Sequence, residues 1–362
     1  MSSSLWDSRF DLSSDIQNAI ASVNIPKDDA FKISSILAAA GRRLIDIHPT
    51  ELQFHRHLGA GSCFKVECEL YTKNIQNPLP ELVAVKYLRI PKKQGLVAKR
   101  LFDGVKRELR VLTHPPFRNH ECVIEVLGYG WSTSPDWGAH PYLVVDYSDH
   151  GTLSQYLRRI TPSVDQCRNL ALDVAVGLQA LHGSEIIHGD LKPDNILVFD
   201  CDGERPQVAK LADFGASIFD ADFEDGPVSY RGTARYNAPE LEGRLHSQSG
   251  GTAQTKEAFL KADIYSLGLV VWEAMNNGDE YCEPDWLVES ETALQLLDRI
   301  WKDEKDGLLA RALSFCEQRF RELDQPIIEQ AITDTFKSTL TDDPSSRGPI
   351  EVVVEKLARG VR

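Results

Sequence analysis

The sequence lacks an excess of positive charge. Its 362 residues include 40 Lys and Arg against 54 Asp and Glu, which gives a formal net charge of −14. Nucleic acids and anionic membranes are bound mainly through clustered Lys and Arg. The acidic balance therefore disfavours both as main partners. It is compatible with a small basic pocket for a phosphate-bearing ligand, because electrostatic focusing is local.

Paired cysteines, a secretory leader and a long apolar run are also missing. The seven cysteines form no C-x-x-C pair, which disfavours a disulfide framework and a zinc site. The N-terminal run MSSSLWDSRFDLSSD has no basic region followed by an apolar one. The nearest candidate for a membrane span, 264–275, is short and contains Ser and Glu. These absences predict an intracellular, cytoplasmic protein without a membrane span, and they leave a nuclear location open.

What is present changes in pattern along the chain. Residues 1 to about 50 show helical periodicity, with Ile16, Ile20 and Val23 on one face, and are interpreted as a helical extension. From Glu51 to about 146 the pattern favours strands with one helix near 97–112. From Leu153 onwards it favours helices, with short strands near 196–199 and 208–211.

The strongest chemical signal is the run from 188 to 195, HGDLKPDN, which an apolar strand follows. Phosphoryl transfer needs a carboxylate that orients the attacking hydroxyl and accepts its proton, oxygen ligands for Mg²⁺, and a cation near the transferring phosphate. Asp190, Asn195 and Lys192 supply side chains for these three tasks. The spacing predicts a phosphotransfer loop with Asp190 as catalytic base.

A second acidic position follows one strand hairpin later. Asp213 opens Asp-Phe-Gly directly after an apolar strand. Mg²⁺ binds few protein oxygens and completes its octahedron with phosphates and water. One carboxylate and one amide, from Asp213 and Asn195, fit that preference. Alone, Asp-Phe-Gly would be interpreted as an ordinary turn. Its position one strand hairpin after HGDLKPDN is what favours the interpretation as a metal ligand.

Two upstream features fit the same chemistry, although each is weak in isolation. Gly59-Ala60-Gly61 lies between strand-like runs, where glycines allow backbone N–H groups to approach phosphate oxygens. Lys86 ends the apolar run Val83-Ala84-Val85, where a buried cation needs an anion. Glu108, in the next predicted helix, is the natural partner. An ordinary hairpin turn and two solvated surface charges are the alternative interpretation.

Together these motifs resemble the eukaryotic protein kinase domain, over residues 51 to about 357. Ala238-Pro239-Glu240, Asp263 and Arg347 extend the match. The resemblance implies an α+β, two-lobed protein kinase fold. A small β-rich N-lobe with one main helix would occupy about 51–146, and a larger helical C-lobe about 149–359. Residues 1–50 would then precede a kinase domain at 51–359.

The resemblance also implies a set of site residues, with ATP and Mg²⁺ as cofactors and a protein as substrate. The catalytic residues would be Asp190, Lys192, Lys86 and Glu108, and the metal ligands Asn195 and Asp213. The ATP-binding residues would be Leu58, Gly59, Ala60, Gly61, Val66, Ala84, Lys86, Val145, Asp146, Ser148 and Leu197.

Three further positions bear on specificity. Lys192 and Thr233 resemble the corresponding residues of serine/threonine kinases, and the run from Tyr142 to Leu153 resembles their tyrosine-kinase-like group. Thr152 occupies a position where kinases that prefer basic substrates often carry glutamate. We therefore expect transfer to serine or threonine, without a strong demand for arginine upstream of the target.

The sequence departs from the kinase pattern at two positions. Phe64 replaces the third glycine of the phosphate loop, which predicts a changed ATP affinity. Gly189 stands where many kinases have an arginine that binds a phosphate on the activation loop. We therefore expect activity that does not strictly require phosphorylation of that loop, where Ser217, Ser229 and Tyr230 are candidate sites.

Two alternatives stay open. A pseudokinase would share the fold and bind nucleotide without transfer; its usual sign is loss of Lys86, Asp190 or Asp213, and all three are present. A small-molecule phosphotransferase of the aminoglycoside-kinase type shares the His-Gly-Asp…Asn frame. Lys192 and the Ala238-Pro239-Glu240 run distinguish the sequence from that class.

Overall fold

A computed structural model describes residues 44–61, 64–72, 81–89, 96–134, 138–201, 205–224, 226–242, 255–281, 292–321 and 323–360. The chain divides into two compact units. The β-rich unit comprises the described residues of 1–114 and 125–147, and the helical unit those of 115–124 and 148–362.

The β-rich unit is built on one six-stranded sheet. Its strands are β1 (Ile45–Asp46), β2 (Leu52–Ala60), β3 (Phe64–Tyr71), β4 (Glu81–Leu88), β5 (Val126–Ser134) and β6 (Gly138–Asp146). Their order in the sheet is β1-β5-β6-β4-β3-β2. The β1–β5 pair is parallel and the other pairs are antiparallel. A core cluster on this sheet comprises Ile47, Val83, Val85, Tyr142 and Val144.

Helix α1 (Leu96–Leu112) belongs to the same unit. Leu101, Val105, Leu109 and Leu112 recur at intervals of three or four residues and are all buried, which is the spacing of one helix face. Glu108 lies beside them on that face and is 1% exposed. A carboxylate there needs a partner, because burying an unpaired charge is costly.

The helical unit contains α2 (Leu153–Arg159), α3 (Val164–Gly183), α4 (Lys256–Met275), α5 (Ala293–Asp303), α6 (Gly307–Phe320), α7 (Pro326–Thr339) and α8 (Ile350–Ala358). Every residue of α4 from Ala262 to Met275 is buried. A helix that is apolar around its whole circumference forms the centre of a core. Asp263 lies inside this helix with no solvent exposure, so its carboxylate must be hydrogen-bonded.

Two short antiparallel sheets complete the helical unit. β8 (Ile196–Asp200) pairs with β9 (Gln207–Leu211), and β7 (Ile186–Ile187) pairs with β10 (Ile218–Phe219). A β-rich unit with one main helix and a helical unit with seven described helices confirm the predicted two-lobed kinase fold. No helix in the described ranges has both the length and the apolarity to cross a membrane.

The boundaries differ from the sequence prediction in places. Residues 44–50, assigned to a helical extension, contain β1 and the start of a 3₁₀ turn instead. Within the region predicted to favour strands, β5 starts only at Val126, and Val123 makes an isolated bridge to Leu211. The rest of the predicted extension, residues 1–43, lies outside the described residues.

Candidate functional site

The β8–β9 hairpin places Asn195 next to Asp213. Ile196 pairs with Leu211, so the residue before β8 and those after β9 lie side by side. The Ala212 N–H donates to the Asn195 carbonyl at 2.9 Å, and Asp213 follows directly. Asp213 has a φ of +59°, a left-handed conformation that aspartate tolerates better than most residues.

The Asp190 carboxylate lies at the centre of a hydrogen-bond network. Its Oδ1 accepts from the Thr233 backbone N–H and from the Thr233 hydroxyl, both at 2.7 Å. Its Oδ2 accepts from Lys192 Nζ at 2.8 Å and from Asn195 Nδ2 at 3.1 Å. Lys192 Nζ also donates to the Thr233 hydroxyl at 2.7 Å. The structure thus brings the predicted loop residues and Thr233 together around one partly exposed carboxylate.

The backbone of this loop is held from inside by Asp263 on α4. The Asp263 Oδ2 accepts from the His188 N–H at 2.7 Å, and its Oδ1 from the Gly189 N–H at 3.1 Å. His182 Nε2 lies 3.0 Å from Oδ2. The pKa of Asp263 is lowered: burial opposes this, but the hydrogen bonds from His182 and from the Gly189 N–H outweigh it. Asp263 therefore remains a carboxylate that positions the two residues before Asp190.

His188 supports the loop as a neutral ring. Its side chain is fully buried, and burial lowers its pKa although Asp263, Asp190 and Asp213 oppose the shift. The Asp190 N–H donates to its Nδ1 at 3.3 Å, so this nitrogen acts as an acceptor. The centroid of the His188 ring lies 5.5 Å from that of the Phe214 ring. The loop and the Asp-Phe-Gly segment thereby share a packed contact.

In the β-rich unit, Lys86 forms an ion pair with Glu108, as the sequence predicts. Lys86 lies near the end of β4 and Glu108 on the buried face of α1. The lysine side chain is 13% exposed and that of the glutamate 1% exposed. Buried charges of this kind are costly unless they are paired. The ion pair therefore fixes the position of the Lys86 ammonium group beside the sheet.

Phe64, in the place of the third glycine, packs beside this lysine. The residue begins β3 and is buried. Lys86 Nζ lies 5.0 Å from its ring centroid, a distance at which a cation is attracted to an aromatic face. No pattern in the sequence indicates this contact. Phe64 therefore contacts the Lys86 ammonium group through its ring. Its backbone carbonyl also accepts a hydrogen bond from the Gly61 N–H at 2.8 Å.

The remaining predicted ATP-binding residues fall in both units. In the β-rich unit the register pairs Gly59 with Val66, Val66 with Lys86, and Ala84 with Val145. These neighbouring pairs bring five of the predicted residues onto adjacent strands. Leu58, Ala60, Gly61 and Asp146 belong to the same unit, and Ser148 and Leu197 to the helical unit. The Ser148 hydroxyl is engaged with the Val198 carbonyl, so it supports the backbone there.

Glu240 and Arg347 form a buried ion pair, as the sequence resemblance implies. Arg347 Nη1 and Nη2 donate to the two Glu240 oxygens at 2.6 and 2.8 Å. The other three guanidinium bonds go to the carbonyls of Thr341, Lys261 and Asp342. All five N–H donors of the arginine are thereby satisfied. This pair anchors the Ala-Pro-Glu segment to the end of the helical unit.

The candidate modification sites differ in their surroundings. Ser217 has no exposed surface and its hydroxyl donates to the His188 carbonyl at 3.3 Å, so it does not fit an accessible phosphorylation site. Tyr230 donates its hydroxyl to Asp263 Oδ1 at 2.9 Å, a contact that no sequence pattern signals in this segment. Ser229 is exposed.

The oxygen atoms at Asn195 and Asp213 suit Mg²⁺. The Asn195 amide nitrogen is used on Asp190, at 2.7 Å from the carbonyl oxygen, which leaves its amide oxygen as an acceptor. No described residue donates a hydrogen bond to the Asp213 carboxylate. No group of three or more His, Cys, Asp or Glu side chains in the described ranges could hold a metal by itself. A magnesium ion brought by a nucleotide needs only one or two protein oxygens.

Comparison with known proteins gives a consistent result. The family model for the protein kinase domain matches residues 52–356. A protein of Arabidopsis thaliana named "Probable receptor-like protein kinase" is 27% identical over 306 residues, which is 80% of this chain and 32% of that protein. Activin receptor type-1B of Homo sapiens is 34% identical over 201 residues, 50% of this chain and 38% of the receptor.

A third relative, the Serine/threonine/tyrosine-protein kinase HT1 of Arabidopsis thaliana, is 29% identical over 194 residues, 53% of this chain and 43% of that protein. The matched parts span about a third to two fifths of the length of these relatives.

Proposed function

We propose, from the premise that this chain belongs to the protein kinase family, that it transfers the γ-phosphate of ATP to serine or threonine hydroxyls of proteins. The observation that carries the proposal is the Asp190 carboxylate, which Thr233, Lys192 and Asn195 hold by hydrogen bonds of 2.7–3.1 Å. A carboxylate fixed in this way can orient a hydroxyl and accept its proton.

Asp190 would act as the base, with the substrate hydroxyl donating to one carboxylate oxygen and the proton moving to that oxygen. Lys192 lies 2.8 Å from Asp190 Oδ2, so its charge is available where negative charge develops on the transferring phosphate. The lysine also contacts Thr233. This link between the catalytic loop and the segment before Ala-Pro-Glu supports serine or threonine as the acceptor.

Asn195 and Asp213 would hold Mg²⁺ through the amide oxygen and the carboxylate. When bound, the ion would neutralise charge on the phosphate oxygens. The chain's own contribution is to hold the two ligands beside Asp190, through the Ala212–Asn195 backbone bond and the Asn195–Asp190 contacts.

Lys86 would bind phosphate oxygens of ATP while Glu108 holds its ammonium group. The glycines at 59 and 61 would allow backbone N–H groups to approach the same phosphates. The Phe64 ring beside Lys86 competes for the same cation, which supports the expectation of a changed ATP affinity.

The test is transfer of labelled phosphate from Mg-ATP to generic proteins, with phosphoamino-acid analysis of the product. Asp190→Asn keeps the shape of the side chain but loses the basic carboxylate, so we expect labelling to fall by at least about 10²-fold. Asp303→Asn, at the exposed end of α5, is the matched control and should label like the unmodified chain.

Equal labelling by the Asp190 variant and the unmodified chain would contradict the assignment of the base. Binding of Mg-ATP without transfer by the unmodified chain would establish the pseudokinase alternative. Phosphotyrosine as the main product would overturn the proposed acceptor. A cytoplasmic location stays a prediction, which imaging of the tagged full chain would test.

A further inference from the structure

Asp263 receives a contact that the catalytic loop does not supply. Besides the N–H groups of His188 and Gly189, its Oδ1 accepts from the Tyr230 hydroxyl at 2.9 Å. Tyr230 lies three residues before Thr233, in the segment that leads to Ala-Pro-Glu. The buried Asp263 carboxylate therefore accepts hydrogen bonds both from the catalytic loop and from the segment whose Thr233 contacts Asp190.

The Tyr230 ring is packed as well as hydrogen-bonded. Its centroid lies 5.4 Å from that of Phe259 on α4, in an edge-to-face arrangement, and the residue packs against the cluster of Ile187, Ile218 and Phe259. Burial, together with Asp263, raises the pKa of its hydroxyl well above the usual range. The hydroxyl therefore keeps its proton and can serve as a donor.

The other end of this short segment bears on the reaction. Thr233 donates its N–H and its hydroxyl to Asp190 Oδ1, so the position of Thr233 determines how the carboxylate is oriented. Only Arg231 and Gly232 separate it from Tyr230. A displacement of Tyr230 would be transmitted over that distance to the hydrogen bonds of Asp190.

Many kinases fix this segment through an arginine at the position of Gly189, which binds a phosphate on the segment. Glycine offers no cation for such a contact. Its φ is +79°, and a Cβ would lie 2.5 Å from the Ala216 carbonyl oxygen. No larger side chain fits there without a backbone shift. The segment therefore needs a different attachment point, and Tyr230 is placed on the same carboxylate that holds Gly189.

We propose that Tyr230 is a positioning residue, whose neutral hydroxyl on Asp263 fixes the segment ending at Thr233 in place of a phosphate–arginine contact. The inference rests on the proposed phosphotransfer function. It predicts that the activity survives phosphatase treatment and depends on the Tyr230 hydroxyl.

The first test is Tyr230→Phe, which keeps the ring on Phe259 and removes only the donor. We expect kcat to fall about tenfold, equivalent to ~1.4 kcal/mol, with KM for ATP unchanged. Tyr156→Phe is the matched control, because Tyr156 lies in the same unit and its hydroxyl likewise donates to a side chain, that of Gln207, at 3.2 Å. Tyr156→Phe should keep the kcat of the unmodified chain even if its Tm falls as much as that of Tyr230→Phe.

Replacing Tyr230 by 4-aminophenylalanine restores a donor at the ring tip and is expected to restore kcat. An unchanged kcat in Tyr230→Phe, or an equal loss in Tyr156→Phe, would overturn the proposal. So would loss of activity of the unmodified chain after phosphatase treatment.

A second readout does not need activity. Amide hydrogen exchange at Gly189 and Thr233 should be faster in Tyr230→Phe than in the unmodified chain and in Tyr156→Phe. If the unmodified chain transfers no phosphate, the proposed function fails, while exchange still decides whether Tyr230 fixes the segment. Unchanged exchange at both amides would overturn the anchoring contact itself.

Discussion

Gly189 adopts a φ of +79° immediately before the proposed base, and both its backbone and its surroundings constrain it. For an L-residue this conformation costs about 1–2 kcal/mol, and a Cβ would lie 2.5 Å from the Ala216 carbonyl oxygen. We expect Gly189→Ala to lower the free energy of unfolding by about 1–3 kcal/mol, measured by chemical denaturation.

Gly183→Ala is the control for this change. Gly183 ends α3 without a positive φ, and an added Cβ there would meet no atom within 4 Å. Its effect on stability should stay below about 1 kcal/mol, and alanine's helix propensity favours a gain. Equal effects of the two substitutions would show that the Gly189 backbone is not constrained.

The buried ion pair between Lys86 and Glu108 predicts how loss of the lysine charge changes stability. Lys86→Met leaves the Glu108 carboxylate buried without this cation, so we expect unfolding to cost about 3–5 kcal/mol less. The double variant Lys86→Met/Glu108→Leu should recover much of that loss, because it removes the buried charge as well. Thermal and chemical denaturation of the three proteins would measure this.

Lys65→Met serves as the comparison for that series. Lys65 pairs with Glu67 at 2.5 Å but is half exposed, and exposed pairs contribute roughly 0–1 kcal/mol. A large loss in Lys65→Met, or no recovery in the double variant, would contradict the account of the Lys86–Glu108 pair.

At the scale of elements, α4 carries two buried acids that behave differently. Asp263, in the first half of the helix, accepts several hydrogen bonds and stays ionised. Glu273, near its end, accepts from the Tyr236 hydroxyl at 2.9 Å and lies 3.4 Å from Arg235. Burial dominates there and raises the pKa of Glu273 to about 7, while Tyr236 and Arg235 oppose the shift.

This raised pKa predicts a pH dependence of stability. A carboxyl that binds its proton more tightly when folded adds stability below the unfolded pKa of 4.5, and this is lost as the pH rises through about 7. We therefore expect this group to remove about 3 kcal/mol of stability between pH 4.5 and pH 7. Glu273→Gln should flatten that part of the profile in denaturation curves.

Glu329→Gln, on the first turn of α7, provides the control, since it removes a glutamate elsewhere in the helical unit. Its profile should follow that of the unmodified chain. A slope between pH 4.5 and 7 that survives in Glu273→Gln would assign the titration to another group.

The sequence predicted the elements with regular periodicity better than the irregular ones. α1 and the β8–β9 hairpin were expected within a few residues, because the apolar spacing of each matches one period throughout. β1 was missed: two residues carry no periodic signal, and only their parallel pairing with β5 makes them a strand. Part of the site was predictable for a similar reason, since Asp190, Lys192 and Asn195 lie within six residues.

Contacts formed across the sequence were not predictable. Tyr230 and Asp263 are 33 residues apart, and Phe64 and Lys86 lie on different strands. Neither aromatic residue belongs to a repeating pattern, so the direction of its side chain depends on tertiary packing alone. The Lys86–Glu108 pair was found from sequence only because a lysine at a buried strand end requires an anion.

For the whole molecule, residues that precede the family match, which begins at residue 52, belong to the core of the β-rich unit. Ile47 is 1% exposed, its N–H donates to the Tyr129 carbonyl at 2.8 Å, and its carbonyl accepts from the Tyr142 hydroxyl at 2.5 Å. A chain starting at residue 51 loses these contacts, whereas one starting at 44 keeps them.

We expect the chain that starts at 51 to be less stable by about 2–4 kcal/mol, through lost apolar burial and an unsatisfied tyrosine hydroxyl. Chemical denaturation of both shortened chains would measure the difference. Ile47→Ala in the longer chain should reproduce part of the loss. Equal stabilities would show that residues 44–50 add nothing to the sheet.

The lack of a side chain at Gly189 has a consequence for how such a protein could be controlled. Where an arginine binds a phosphate, a modification made earlier is stored in the enzyme until it is removed. A neutral tyrosine on a buried carboxylate stores nothing of this kind, because the contact forms whenever the chain folds. The amount of folded chain would then set the output, and synthesis, degradation and binding partners would do the work of an upstream enzyme.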